Sequence, residues 1–258
     1  MFVTGAARGI GLAVCKHFAE RGDIVHATFR ATEPPTVEGV TFHHNDIRDR
    51  AALAELVDAI ARTDGGIDIA VGNAAILRDG MSFRMSDEQF LDVLDVDLNG
   101  NRRLLDLVLP GMMERGFGRV VIVSSVGGIT GSSSQANYAT AKAALHGVAR
   151  HAALEAAPHG VTVNVVAPGP IDTELMRGMG EKHFAAFSAV VPSGRMGHVD
   201  EVAATIGFLC SEQAAFITGV VLPIDGGLLL SDGFVRSNRE RVVMARRAIE
   251  QQTIEQEA

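Results

Sequence analysis

Short β-branched runs alternate with helix-length patterns along most of the chain, and this alternation limits the fold more than any other feature. Strands are read at 1–4 (MFVT), 24–29 (IVHATF), 40–44 (VTFHH), 67–72 (IDIAVG), 118–125 (GRVVIVSS), 161–168 (VTVNVVAP) and 220–225 (VVLPID). Helices are expected at about 10–20, 51–62, 87–114, 136–157 and 199–209. A strand that returns parallel to its predecessor needs a crossover, and a helix is the usual one. The pattern therefore predicts an α/β fold: a doubly wound parallel sheet of about seven strands with helices on both faces. The first strand has only three residues before Thr4, which leaves room for a start further upstream.

Residues 1–230 are expected to form a single domain. Within it, 172–197 is rich in Met, Gly and Phe with weak periodicity, and is read as a flap. Residues 231–258 read as a turn followed by a charged helical extension. Hydrophobic residues make up 47% of the chain, enough for a substantial core. Net charge is −8 and no basic block occurs, which argues against a nucleic-acid partner. No apolar run is long enough to span a bilayer. The N-terminal MFVTGAARG has no basic segment followed by an apolar one, so a soluble, cytoplasmic protein without a membrane partner is expected. Cys15 and Cys210 lie far apart in helix-like stretches with no metal-ligand spacing, which suits a reducing compartment and no metal.

Between the first strand and the first helix, TGAARGIG carries Gly5, Gly9 and Gly11. Glycines allow a tight turn and let a phosphate approach bare backbone N–H groups at a helix N-terminus. The spacing is GxxxGxG rather than GxGxxG, but the strand–turn–helix context is that of a Rossmann-type nucleotide site. The end of the second strand discriminates between the two nicotinamide dinucleotides. An acid there holds a ribose 2′-hydroxyl, whereas an arginine accepts a 2′-phosphate. Here Phe29 stands in the acid's place, Arg30 follows it, and Arg8 lies inside the turn. NADPH/NADP+ is therefore the expected cofactor.

The only tyrosine of the chain, Tyr138, precedes Lys142 by four residues in a helical stretch, so the two share a face. An ammonium beside a phenol favours the phenolate. Such a pair can donate and accept a proton near neutral pH. Thirteen residues before Tyr138, at the end of a strand, Ser125 offers a hydroxyl able to polarise a carbonyl.

With these pieces the sequence resembles the classical short-chain dehydrogenases/reductases across residues 1–230. The matching segments are TGAARGIG, Asp46-Ile47, Asn73-Ala74, Ser125, Tyr138, Lys142, PGPIDT (168–173), RMG (195–197), ITG (217–219) and IDGG (224–227). The resemblance implies that Ser125 orients the carbonyl, Tyr138 transfers the proton, and Lys142 also grips the nicotinamide ribose. It places Gly5, Arg8, Gly9, Ile10 and Gly11 at the phosphates and Asp46 and Ile47 on the adenine side. Asn73, Ala74, Pro168, Gly169, Ile171 and Thr173 also fall at cofactor-binding positions, the last two at the carboxamide end.

Within the family, ILRDGMSFRMSDEQF, SSQANYATAKAAL and VPSGRMGHVDEVAATIGFL resemble the 3-oxoacyl-(acyl carrier protein) reductases. The implied substrate is a 3-oxoacyl thioester or a polyketide-like ketone, carrier-bound or free, with an acyl carrier protein as a partner. The alternatives are reduction of a free small ketone, steroid or sugar, and a non-catalytic nucleotide-binding scaffold. The sequence departs from the family at three places. NNAG reads Gly72-Asn73-Ala74-Ala75. Asp97 stands where a fourth catalytic residue, an asparagine, is usual; there the residue's backbone carbonyl holds a water linked to the lysine. Gly116 and His159 stand where the resemblance implies arginines of a carrier-protein docking surface; Arg102, Arg103, Arg115, Arg119 and Arg150 either replace them in part or are solvated helix faces. The resemblance also implies a homotetramer, and Val242, Val243, Ala245 and Ile249 give the extension an apolar side to lay against a neighbour.

Overall fold

The computed structural model describes residues 1–178 and 187–231. Met179 and Phe184 of the expected flap lie outside these residues, as does the expected helix of the C-terminal extension.

Seven parallel strands form one sheet in the order β3-β2-β1-β4-β5-β6-β9. These are β1 (Phe2–Val3), β2 (Val25–Phe29), β3 (Val40–His44), β4 (Ile69–Gly72), β5 (Gly118–Val123), β6 (Val161–Pro168) and β9 (Val221–Ile224). All seven fall inside the stretches read from the sequence. The runs in β5 and β6 are buried residue after residue, as strands covered on both faces must be. On one face α2 (Arg50–Asp64), α4 (Asn101–Arg115) and α6 (Ala136–Ala156) cover a core that includes Leu53, Leu104, Met112, Val120 and Leu145. On the other, α1 (Gly9–Ala19) and α8 (Val199–Leu209) pack over Val14, Phe18, Val121, Val166 and Ile206. Cys15 and Cys210 are free thiols buried in this second core.

Chain order reverses between β1 and β4, the place where a doubly wound sheet opens a crevice at its strand C-termini. β1 has only two paired residues. Its ladder is extended by Thr4 N–H to Val71 O (3.0 Å) and Ala6 N–H to Thr28 O (2.8 Å). The base of the flap region is closed by a two-stranded parallel ribbon, β7 (Ile171–Asp172) with β8 (Gly197–His198). Two short helices complete the frame, α5 (Gly127–Thr130) before α6, and α7 (Glu174–Arg177) after β7.

The single helix expected over 87–114 is not continuous. α3 (Asp87–Val93), started by a Ser86–Gln89 capping box, runs into a π turn at Leu94–Gly100 before α4 begins. Here backbone pairing is shared with side chains: Asn101 Nδ2 donates to Asp97 O at 2.6 Å. Close packing also shapes the turn. A Cβ at Gly100 would lie 2.8 Å from Ile47 Cγ2.

Candidate active site

Three glycines shape the turn between β1 and α1. Gly5 and Gly9 have φ of +68° and +58°, a left-handed conformation that side chains rarely adopt. Gly11 is needed for space, because a Cβ there would lie 2.5 Å from Asn73 Nδ2 and 2.6 Å from Gly5 O. Asn73 holds the turn by donating to Thr4 O (3.1 Å) and Gly5 O (2.8 Å). Thr4 Oγ1 in turn accepts from the Asn73 and Ala74 N–H groups at 3.1 and 3.2 Å. α1 starts without a side-chain cap and without an acid in its first turn. Its open N–H groups and positive dipole end therefore face the crevice, as an anion site requires.

A cavity of about 370 Å³ lies over this turn. Its walls include Arg8 and Ile10, Phe29 and Arg30 from the end of β2, Asp46 and Ile47, Asn73 to Ile76, and Thr173. The bare glycines on one side and the strand ends on the other fit an extended dinucleotide. Arg30 sits at the rim with its Nη1 3.6 Å from Asp46 Oδ2. Asp46 is held mainly by Arg48, whose Nη2 donates to Oδ2 at 2.6 Å and whose Nε donates to Oδ1 at 3.0 Å. These charge-assisted bonds pull the Asp46 carboxyl down to about 2. The Asp46 side chain is therefore committed to arginine, and Arg48, which holds that wall residue, is one that motif reading missed.

Ser125 follows β5, and its Oγ accepts from Gly127 N–H at 3.1 Å. A Cβ at Gly127 would lie 3.5 Å from Ser125 Oγ and 3.9 Å from Tyr138 Cε1, so hydroxyl and phenol flank the same glycine. The start of α6 is anchored by buried Asn137, whose Nδ2 donates to Arg78 O (3.0 Å) and Gln89 O (3.1 Å). Lys142 is 1% exposed. Its Nζ donates to Val123 O at 3.1 Å and stands 5.4 Å from the Tyr138 ring centroid. Ser124 Oγ donates to Lys142 O at 3.0 Å and ties α6 to the end of β5.

Asp97 is wholly buried, with Oδ1 accepting from Ile76 N–H at 2.8 Å and Oδ2 3.5 Å from Lys142 Nζ. Burial pushes its carboxyl above the ordinary value, opposed by Lys142 and the Ile76 N–H. Ile76 lines the cavity, so the buried pair lies directly behind its wall.

Not every expected residue meets the cavity. Ser125, Tyr138 and Lys142 do not line it; Lys142 is linked to the wall residue Ile76 through Asp97. The Ile171 side chain is packed in the second core, and the residue pairs with Gly197 in the β7–β8 ribbon. Pro168 O accepts from Val126 N–H and Gly169 N–H donates to Ile224 O, so both serve the sheet end as backbone. Thr173 lines the cavity and caps α7, its Oγ1 accepting from Met176 N–H at 3.3 Å.

A phosphate-binding turn, a strand-end hydroxyl, a phenol and a buried ammonium at one crevice are the parts of a nucleotide-dependent carbonyl–alcohol oxidoreductase. Residues 5–229 match the family model described as enoyl-(acyl carrier protein) reductase. The chain is 38% identical over 236 residues to the 3-oxoacyl-(acyl-carrier-protein) reductase FabG of Escherichia coli (strain K12), covering 88% of this chain and 96% of that one. It is 38% identical over 228 residues to the reductase MabA of Mycobacterium avium, covering 88% and 89%. Among solved structures, levodione reductase superposes with a TM-score of 0.84 at 31% identity, over 90% of this chain and 97% of that one. ElxO with NADP bound gives 0.83 at 30% identity, over 89% and 98%. The chain belongs to the short-chain dehydrogenase/reductase family and is an oxidoreductase with a Rossmann-type fold.

Proposed function

We propose that the protein reduces a ketone to a secondary alcohol with NADPH, and that the ketone is a 3-oxoacyl thioester carried by an acyl carrier protein or a close analogue. The observation that carries the reading is Lys142, buried behind the crevice and facing both Tyr138 and Asp97. When bound, the reduced nicotinamide supplies the hydride. Ser125 Oγ accepts from Gly127 N–H, which leaves its own proton free to donate to the substrate carbonyl. Tyr138 gives its phenolic proton to the oxygen that gains charge, and the Lys142 ammonium stabilises the phenolate left behind. Of the three Nζ protons, one is spent on Val123 O and one faces Asp97; the third is free for Tyr138 or a ribose hydroxyl. Gly5, Arg8, Gly9, Ile10 and Gly11 cradle the phosphates, and Arg30 meets the 2′-phosphate. Asp46, Ile47, Asn73, Ala74 and the backbone of Pro168, Gly169, Ile171 and Thr173 complete the cofactor site.

The similarity to reductases named for carrier-bound 3-oxoacyl groups supports the substrate class. A second reading, a free cyclic or small ketone, is favoured by Gly116 and His159, which thin the basic surface for a carrier protein. A cytoplasmic homotetramer built on one domain of residues 1–230, with the remainder as an extension, completes the proposal. Among the described residues no helix is long and apolar enough to cross a membrane.

The test is to mix the protein with NADPH and a panel of 3-oxoacyl thioesters and free ketones, and to follow cofactor absorbance. Turnover of thioesters well above free ketones is expected. Binding of NADPH with no turnover of any ketone would leave only the scaffold reading.

A further inference from the structure

Behind the cavity wall the Asp97–Lys142 pair leaves the carboxylate itself without an assigned role. Asp97 sits in the π turn with no exposed surface, and its Oδ2 has no hydrogen-bond partner among the described residues. The group it faces is Lys142 Nζ, 3.5 Å away and itself buried. The backbone carbonyl of Asp97 is already taken, by Asn101 Nδ2 at 2.6 Å. Asn101 is in turn buried to 1% exposure and sits where Gly72 leaves room. A Cβ on Gly72 would collide with Asn101 Oδ1, and that oxygen has no hydrogen-bond partner among the described residues. Three positions on three elements, Gly72 at the end of β4, Asp97 in the π turn and Asn101 at the start of α4, are therefore shaped to one another.

We propose that the Asp97 carboxylate is a positioning residue that fixes Lys142 as an ammonium and damps its field at Tyr138, and that Asn101, admitted by Gly72, holds Asp97 in place. Asn101 engages the Asp97 carbonyl, and it is the Asp97 carboxylate that faces the lysine, at 3.5 Å. A carboxylate beside the ammonium opposes the attraction that the ammonium exerts on a phenolate. The other charges near Asp97 are accounted for. Asp92 from α3 pairs with Arg48 and Arg78, and Asp95 of the same turn pairs with Arg103. Tyr138 faces Lys142 and, across Gly127, the neutral Ser125.

The inference rests on the roles proposed for Tyr138 and Lys142, yet its test needs no turnover. The chain has one tyrosine and no tryptophan, so ultraviolet titration of phenolate reports Tyr138 alone. In Asp97→Asn, which keeps an acceptor for Ile76 N–H, the midpoint of phenolate appearance should fall by about one pH unit relative to wild type. NADPH affinity should stay within about twofold. Superimposable titrations would overturn the proposal; Asp97→Ser serves the same purpose if the asparagine variant does not fold. In an Asn101→Ala background the Asp97→Asn shift should shrink by about half or more, and a shift of full size would remove Asn101 from the device. Gly72→Ala should lower the melting temperature in wild type and not in Asn101→Ala; equal losses in both would overturn the packing link. A protein inactive on every ketone yet showing these shifts would refute the proposed function and leave this inference standing.

Discussion

Burying an ammonium costs several kcal/mol unless its protons are placed, and Lys142 shows how one residue can be placed by backbone, carboxylate and ring together. Tyr138→Phe keeps the ring against that ammonium and removes only the hydroxyl. Turnover should fall by roughly 10²–10⁴-fold while NADPH binding is retained, read by steady-state rates and cofactor titration. A variant with half of wild-type activity would remove Tyr138 from the chemistry. At the other end of the crevice, Phe29 provides no acceptor for a ribose hydroxyl. Arg30→Ala should therefore weaken NADPH by roughly 10–100-fold and leave NADH nearly unchanged. Isothermal titration of both cofactors decides it, and equal affinities in wild type would exclude the role. Asp46 adds a pH signature. Its carboxyl is lowered from 3.8 to about 2, so its contribution to stability is complete above the unfolded value and disappears as pH falls toward about 2. Denaturation midpoints measured from pH 5 to about pH 2 should fall more steeply in wild type than in Arg48→Gln. Parallel curves would show that the pair is not linked to folding.

At the scale of elements, the glycine turn was legible because its demands are local. Left-handed φ at Gly5 and Gly9 and close approach at Gly11 all leave a glycine in the sequence. Gly11→Ala should lower stability by about 1–3 kcal/mol and abolish tight NADPH binding, since Asn73 and Gly5 O must move. Thermal melts and a cofactor titration test this, and a variant with unchanged melting and affinity would refute the packing argument. The break in the helix expected over 87–114 was not legible. A π turn adds one residue to a hydrogen-bonded ring and hardly disturbs a hydrophobic period. What marks it is the tertiary fit of Gly100 on Ile47 and of Asn101 over Gly72, partners that come from distant segments. The packing of Ile171 was not legible for a related reason: its side chain completes the second core and the residue pairs with Gly197 from a distant segment. The approach of Lys142 to Tyr138 was legible because residues four apart on a helix share a face, whereas Arg48 and Asn137 act through ion pairs and hydrogen bonds to distant segments that leave no spacing signature.

Across the whole molecule, the sheet ends on one side at β9, an edge strand that among the described residues pairs only with β6. Leu222 on this strand and Phe208 near the end of α8 are exposed, and Phe216, just before the strand, is fully so. Edges and apolar side chains presented together favour association, which supports the proposed homotetramer. Light scattering should give a tetramer for the full-length chain and a smaller or less stable species for a chain ending at Leu230. A monomeric full-length protein would refute the assembly, and an equally stable truncated tetramer would refute the role of the extension.

The two thiols give the α1–α8 side of the sheet a built-in clock. Burial pushes both Cys15 and Cys210 up to about 12, so almost no thiolate exists in the closed state at neutral pH. An alkylating reagent can react only when the helices lift, at a rate set by the opening equilibrium and the reactivity of an exposed thiol. Mass spectrometry of each cysteine over time thus measures the free energy of separating α1, which begins at the glycine turn, from α8. A bound dinucleotide anchored at the start of α1 would slow labelling of Cys15 in proportion to its affinity, turning cofactor binding into a change in reaction half-life.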